Sequence, residues 1–340
     1  MSDSVMQHRA GLCTERGFSI VELMIAVAIA LLMIAAVSGV VLSSKQSYRS
    51  SEGLSQVNES GRSALSFLER AIRGTGVIAC GNTQQVANVL NNPSAQWWSN
   101  WAAIRGFSGD AATSAAAFGS GVGQRIAGTH AIQLQGMGDS AYSIESHNGG
   151  SANIKLAGSG HDIVAGDILM VCDSDHATIF QVSNINGTGN LVHNKGSGTS
   201  PGNCSNDLAF PTDCGSGPTS KYEFAPNSTV AKLAASTWYI GNNGRSQDGD
   251  RSLYRVGIDG TPIEMAAGVV DLQISYRIPS STSWVDASSL SNAQWDQVNA
   301  VTLTLSLQSA EKNIATAATT PNGRLTREIT QVISLRNRTL

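Results

Sequence analysis

The residue whose placement carries the most chemistry is Glu22. It stands inside the run FSIVELMIAVAIALLMIAAVSGVVL, from Phe18 to Leu42, and is the one charged side chain there. A helix of about 25 residues, rising 1.5 Å per residue, is long enough to cross the ~30 Å hydrocarbon core of a bilayer. One turn inside that core, an ionised carboxylate costs roughly 2.5–3.5 kcal/mol even on the lenient insertion scale. A plain anchor has no use for such a group. The chemistry expected of Glu22 is therefore pairing with a cation inside the membrane.

Other constellations are weaker. His8, His130, His147, His161, His176 and His193 are scattered, with no H-E-x-x-H or other metal-ligand spacing. Asp173-Ser174-Asp175-His176 and Asp248-Gly249-Asp250 are short acidic clusters of a kind that could hold a structural calcium ion. Neither follows the EF-hand loop, and solvated turns account for them as well. Gly119-Ser120-Gly121-Val122-Gly123 lacks the strand-to-helix setting of a phosphate loop and reads as a flexible connector. No nucleophile elbow, P-loop or dinucleotide fingerprint is present, so no catalytic residue, resident metal or other cofactor is expected.

The elements that must position Glu22 are legible further on. Leu54, Val57, Gly61, Ala64, Leu65, Leu68, Ala71 and Ile72 recur at helical spacing, with Glu52, Glu59, Arg62, Glu69 and Arg73 between them. The helix should thus run from Phe18 to Arg73, roughly 84 Å at 1.5 Å per residue, with Ser38-Gly39 the natural place for a bend. Candidate strands in the middle of the chain are Ala131–Leu134, Ile163–Cys172, Thr178–Val182 and Trp238–Ile240, separated by Gly/Ser/Asn-rich connectors. Trp97, Trp98 and Trp101 cluster without a period and read as a satellite core under a long loop in preference to a contact patch. The C-terminal third alternates clearly at SLYRVG (252–257), VVDLQISYRI (269–278), VNAVTLTLSLQ (298–308) and TREITQVISL (326–335). That is the period-2 signal of half-buried antiparallel strands, and the amphipathic half of the helix can cover their apolar face.

Of 340 residues 14% are charged, and the net charge is −3, so nothing suggests a nucleic-acid footprint. Roughly 295 residues beyond the apolar run suffice for one large or two modest domains. Arg9 and Arg16 ahead of the run favour a cytoplasmic N-terminus.

The polar leader, the Gly17-Phe18 junction and a Glu four residues after Phe18 together resemble the processing site of type IV prepilins. Farther on, LYR, VVDLQISY, a tryptophan-bearing loop (Trp284, Trp295), VNAVTLTL and REITQVISLRN follow in an order that resembles the PilW family of minor type IV pilins. J-type pseudopilins of type II secretion share much of that pattern. The resemblance covers about residues 10–75 and 250–340 and leaves the middle unmatched.

The resemblance implies an α+β, pilin-like lollipop, with a long N-terminal helix packed on an antiparallel β-sheet head bearing a large β- and loop-rich insertion. Its division would be residues 1–17 as a leader that is removed, 18–42 as the transmembrane half and 43–75 as the amphipathic half of the helix. Residues 76–250 would be the insertion, and 251–340 the C-terminal sheet. A prepilin peptidase would cut between Gly17 and Phe18, where glycine leaves the bond unobstructed, and Phe18 would be N-methylated. Glu22 would recruit subunits by pairing with such an amine on a neighbour. The implied partners are other minor pilins, the major pilin, the inner-membrane assembly platform and a possible tip adhesin. The implied location is the inner membrane, single-pass with a periplasmic head, and then the pilus, at or near its tip. The expected role is to prime pilus assembly and so promote surface piliation, twitching motility and adhesion; a type II secretion pseudopilin and a tip adhesin are the alternatives.

Cysteine usage fits export. Cys13 lies in the leader, so processing would leave Cys80, Cys172, Cys204 and Cys214. Four cysteines allow three pairings. The pairing adopted joins Cys204 to Cys214 across a short loop and Cys80 to Cys172, with the other two left open. No C-x-x-C occurs, which gives no support to a zinc ribbon or redox site.

Overall fold

The computed structural model describes Gly17 and residues 19–81, 85–196, 198–215, 221–315 and 321–335. Residues 1–16 with His8 and Cys13, Phe18, the side chain of Asp248 and the terminal Arg336-Asn337-Arg338 lie outside the described residues. Helix α1 (Ile20–Arg73, 54 residues) matches the span expected, and its hydrogen bonding passes through Ser38-Gly39 without a break. The chain divides into two compact units after Glu52.

In the first unit, every described residue from Ser19 to Arg49 is exposed. Ile20, Leu32 and Leu42 show 78%, 72% and 68% of their surface, values that an aqueous helix would not sustain over such a length. Bilayer or protein must cover it.

The second unit begins with the last turns of α1. Gly53, Val57, Gly61, Ala64, Leu68 and Ile72 are buried, one per turn, and form its inward stripe. Leu54, expected in that stripe, is instead 47% exposed, and the neighbouring glycine takes the inward position. The reason is steric. A Cβ at Gly53 would lie 2.5 Å from Ile314 Cδ1, and one at Gly61 would lie 2.7 Å from Ile329 Cδ1, so glycine lets helix and sheet approach closely.

Among the described residues fourteen strands follow: β1 (Val86–Asn88), β2 (Ile104–Phe107), β3 (Ala131–Asn148), β4 (Asn153–Leu156), β5 (Ile168–Cys172), β6 (Ala177–Gln181), β7 (Asn184–Asn186) and β8 (Asn190–Val192), then β9 (Thr229–Asn242), β10 (Arg251–Val256), β11 (Pro262–Ala267), β12 (Val269–Arg277), β13 (Ala300–Gln308) and β14 (Thr326–Ser334). The last three form an antiparallel sheet in the order β12-β13-β14, covered by the helix stripe. The α+β class expected from the sequence is thus the class observed. Val57, Leu68 and Ile72 pack with Leu272, Leu303, Leu305 and Ile333, each large side chain contributing roughly 1.5–3 kcal/mol by leaving water.

The first eleven strands form one larger sheet, antiparallel except where β1 runs parallel to β6. SLYRVG was expected beside the C-terminal strands. It is β10, and it pairs with β9 and β11 in the larger sheet. Two long strands, β3 and β9, organise this sheet. They pair from Ala131↔Tyr239 to Ser143↔Thr229, with an irregularity between Met137 and Ala141 that redirects β3. Its first part shares the core beneath α1. Its second part joins β4, β8 and β7 over a separate core that includes Ile144, Ile154, Phe180, Leu191 and Phe224.

Candidate functional site

The N-terminal end of α1 is closed by its own side chains. Ser19 is the residue before the helix, and its Oγ accepts the Val21 N–H at 3.3 Å. In return Glu22 Oε2 accepts the Ser19 N–H at 3.1 Å. This is the reciprocal logic of a capping box, and an N-cap of this kind stabilises a helix by about 1 kcal/mol in water. In lipid the effect grows, because an unsatisfied N–H has no solvent to turn to. The Ser-x-x-Glu spacing in the sequence is the signal that could have found this cap. Gly17 is exposed, and among the described residues a Cβ on it would meet nothing within 4 Å.

The four described cysteines form two disulfides. Cys80 joins Cys172 with Cα atoms 5.8 Å apart, and Cys204 joins Cys214 at 5.1 Å. Around the first lies a core of Met170, Ile179, Leu233 and Trp98, with Trp97 and Trp101 packed at its edge. Gln133 and Gln135 donate to the Trp97 and Trp98 carbonyls at 3.0 and 3.3 Å. The tryptophan segment is thereby fixed as core cover.

The carboxylate of Asp173 is engaged within the protein. Asp173 Oδ1 accepts the Asp175 and His176 N–H groups, and its Oδ2 accepts the Tyr222 hydroxyl at 2.6 Å. Among the described residues, no group of three or more His, Cys, Asp or Glu could hold a metal ion. The glycine-rich 119–123 stretch is tied down more than a flexible connector would be. Gly123 N–H donates to Asn242 O at 2.8 Å, and Tyr239 Oη donates to Gly123 O at 2.6 Å.

The histidines are less scattered than their numbers suggest. His147 and His193, 46 positions apart, meet at 3.1 Å between Nε2 atoms. Burial pushes both imidazoles down, His147 to about 4 and His193 to about 3. No sequence spacing signalled this pair, because β3 and the end of β8 meet only through β4.

Residues 13–38 match the family described as the prokaryotic N-terminal methylation motif. No curated protein and no solved structure matches the chain. The motif, the apolar helix with the length and composition of a single-pass membrane anchor, and the helix-covered β-sheet domain together indicate the type IV pilin and pseudopilin superfamily.

Proposed function

We propose that this chain is a minor pilin of the PilW type, assembled into a type IV pilus at or near the tip and helping to prime its growth. The observation that carries the reading is Glu22, one turn inside an exposed apolar helix and five residues past Gly17, within the matched methylation motif. A prepilin peptidase cuts between Gly17 and Phe18 and methylates the new amine of Phe18. In the bilayer Glu22 remains costly by roughly 2.5–3.5 kcal/mol. A neighbouring subunit's terminal amine lowers that cost, so the stem leaves lipid for a bundle of like helices as the inner-membrane platform extracts it. The carboxylate then has two tasks, closing its own helix through Ser19 and meeting the neighbour's charge. The two disulfides fit a head on the oxidising side of the membrane.

Deleting the gene and restoring it with Glu22→Ala tests the reading. The expected result is loss of surface pili on deletion and poor rescue by the variant, with wild-type protein restoring them. Normal pili that fail to adhere would favour a tip adhesin; failed protein secretion with twitching intact would favour a pseudopilin.

A further inference from the structure

We propose that residues 221–225 form an acid-released strap, held shut at neutral pH by the His147–His193 pair and opened by protonation of that pair. The strap carries no regular secondary structure and lies across the second core, with Phe224 buried and Tyr222 half-buried. Its anchoring is unusual. Tyr222 N–H donates to Asp207 Oδ1 at 3.0 Å, and Phe224 N–H donates to His147 Nδ1 at 3.0 Å. Tyr222 Oη donates to Asp173 Oδ2, and Glu223 Oε1 accepts the Gly149 N–H at 3.0 Å. Each of these bonds has a titratable side chain at one end.

Geometry fixes the protonation of the histidine pair. Because His147 Nδ1 accepts from Phe224, the ring's proton sits on Nε2 and is donated to His193 Nε2. His193 must then carry its own proton on Nδ1, which is buried and, among the described residues, meets no hydrogen-bond acceptor. Only two neutral rings satisfy this relay. A proton added to His193 sets two N–H groups against each other across 3.1 Å, and one added to His147 turns Nδ1 from acceptor to donor against the Phe224 N–H.

The surroundings offer partial compensation. Glu223 and Asp207 favour a charge on His147, whereas His147 itself disfavours one on His193. Phe180 from β6 faces His193, and Phe224 stacks on His147; both are apolar. On the far side of the strap, His176 lies edge-on to Tyr222, with its nitrogens facing Asp175 Oδ2 and Leu208 O. Lys221, at the strap's start, is exposed and lies beside Gly149 and Gly150. Desolvation remains the larger influence on both His147 and His193.

The sign follows. Both imidazoles titrate lower when the strap is shut, so the open state binds protons first. Closure is complete above an ordinary histidine's range near 6.5 and weakens as pH falls from there toward about 4. Release bares Tyr222 and Phe224, and with them an aromatic patch that neutral conditions conceal. The device is independent of the assembly role.

Hydrogen exchange of the full chain in detergent micelles tests it, with rates divided by the intrinsic rate at each pH. Between pH 7 and about 5, protection at Phe224 should fall roughly 20-fold through His147 alone, while β13 stays protected. His147→Gln keeps an acceptor for Phe224 without a proton site and should flatten the dependence. His193→Gln should reduce it, and serves if the first variant folds poorly. Protection at Phe224 unchanged to about pH 4.5, or lost together with that of β13, overturns the proposal, as does an undiminished pH dependence in a folded variant.

Discussion

The two disulfides close loops of very different length, so their removal should not be equivalent. Cys80 and Cys172 are 92 positions apart, Cys204 and Cys214 only 10. In the chain-entropy picture these closures restrict the unfolded chain by about 4.6 and about 2.7 kcal/mol respectively at 25 °C, a difference of about 2 kcal/mol. Packing widens the gap. Cys172 is fully buried in β5, with its Sγ 3.9 Å from Met137 Sδ, while Cys214 is exposed. Truncation to alanine at Cys172 therefore also loses contacts in a closed core, which its counterpart at Cys214 does not. Urea unfolding of the full chain in micelles, followed by tryptophan fluorescence, should find Cys80→Ala/Cys172→Ala less stable than Cys204→Ala/Cys214→Ala by about 2 kcal/mol or more. Equal losses, or the reverse order, would refute the reasoning that loop length and burial set the contribution here.

Leu68 is fully buried between helix and sheet, and Leu68→Ala should destabilise the second unit by about 2–5 kcal/mol in the same urea assay; a loss near zero would mean the stripe does not hold the sheet. Gly61→Leu places a side chain where Ile329 and Leu307 already stand, and a loss of about 1–3 kcal/mol is expected by overpacking. Burial, with a smaller contribution from Tyr254 on Tyr239 and from Asp286 on Tyr276, raises both phenols above the ordinary tyrosine range. Their stabilisation is whole below about pH 10 and falls above it by roughly 1.4 kcal/mol per unit for each, because the unfolded chain loses its protons first. Urea midpoints measured from about pH 9.5 to 11.5 should show that decline, and a flat profile would contradict it.

The helix and the last three strands were legible because each buries one face. β13 alternates buried and half-buried residues along its whole length, and the inward stripe of α1 recurs at three- and four-residue intervals. Where partners lie far apart in sequence, periodicity is silent. β10 reads as a short strand too, but Ser252, Leu253 and Tyr254 are buried in succession, and nothing in SLYRVG says that its neighbours are β9 and β11 in place of β12. The length of β3 was hidden for another reason. Its second part, DSAYSIESHN, is polar and mostly exposed, and its strand character comes from pairing with β4 and β9. At the candidate site, the apolar run and Glu22 could be read directly. The cap formed with Ser19 could have been found from its spacing. The meeting of His147 and His193 could not, since it depends on the register of three strands.

The proposed trimming at Gly17 would leave a stem whose membrane-embedded acid recruits the next subunit. Mass spectrometry of the mature protein, purified from membranes with its terminal peptide sequenced, tests this most directly. The expected product begins at Phe18, bears one added methyl group on its amine and retains the apolar stem through Leu42. A mature protein that starts at any other residue, or that lacks the stem, would contradict it.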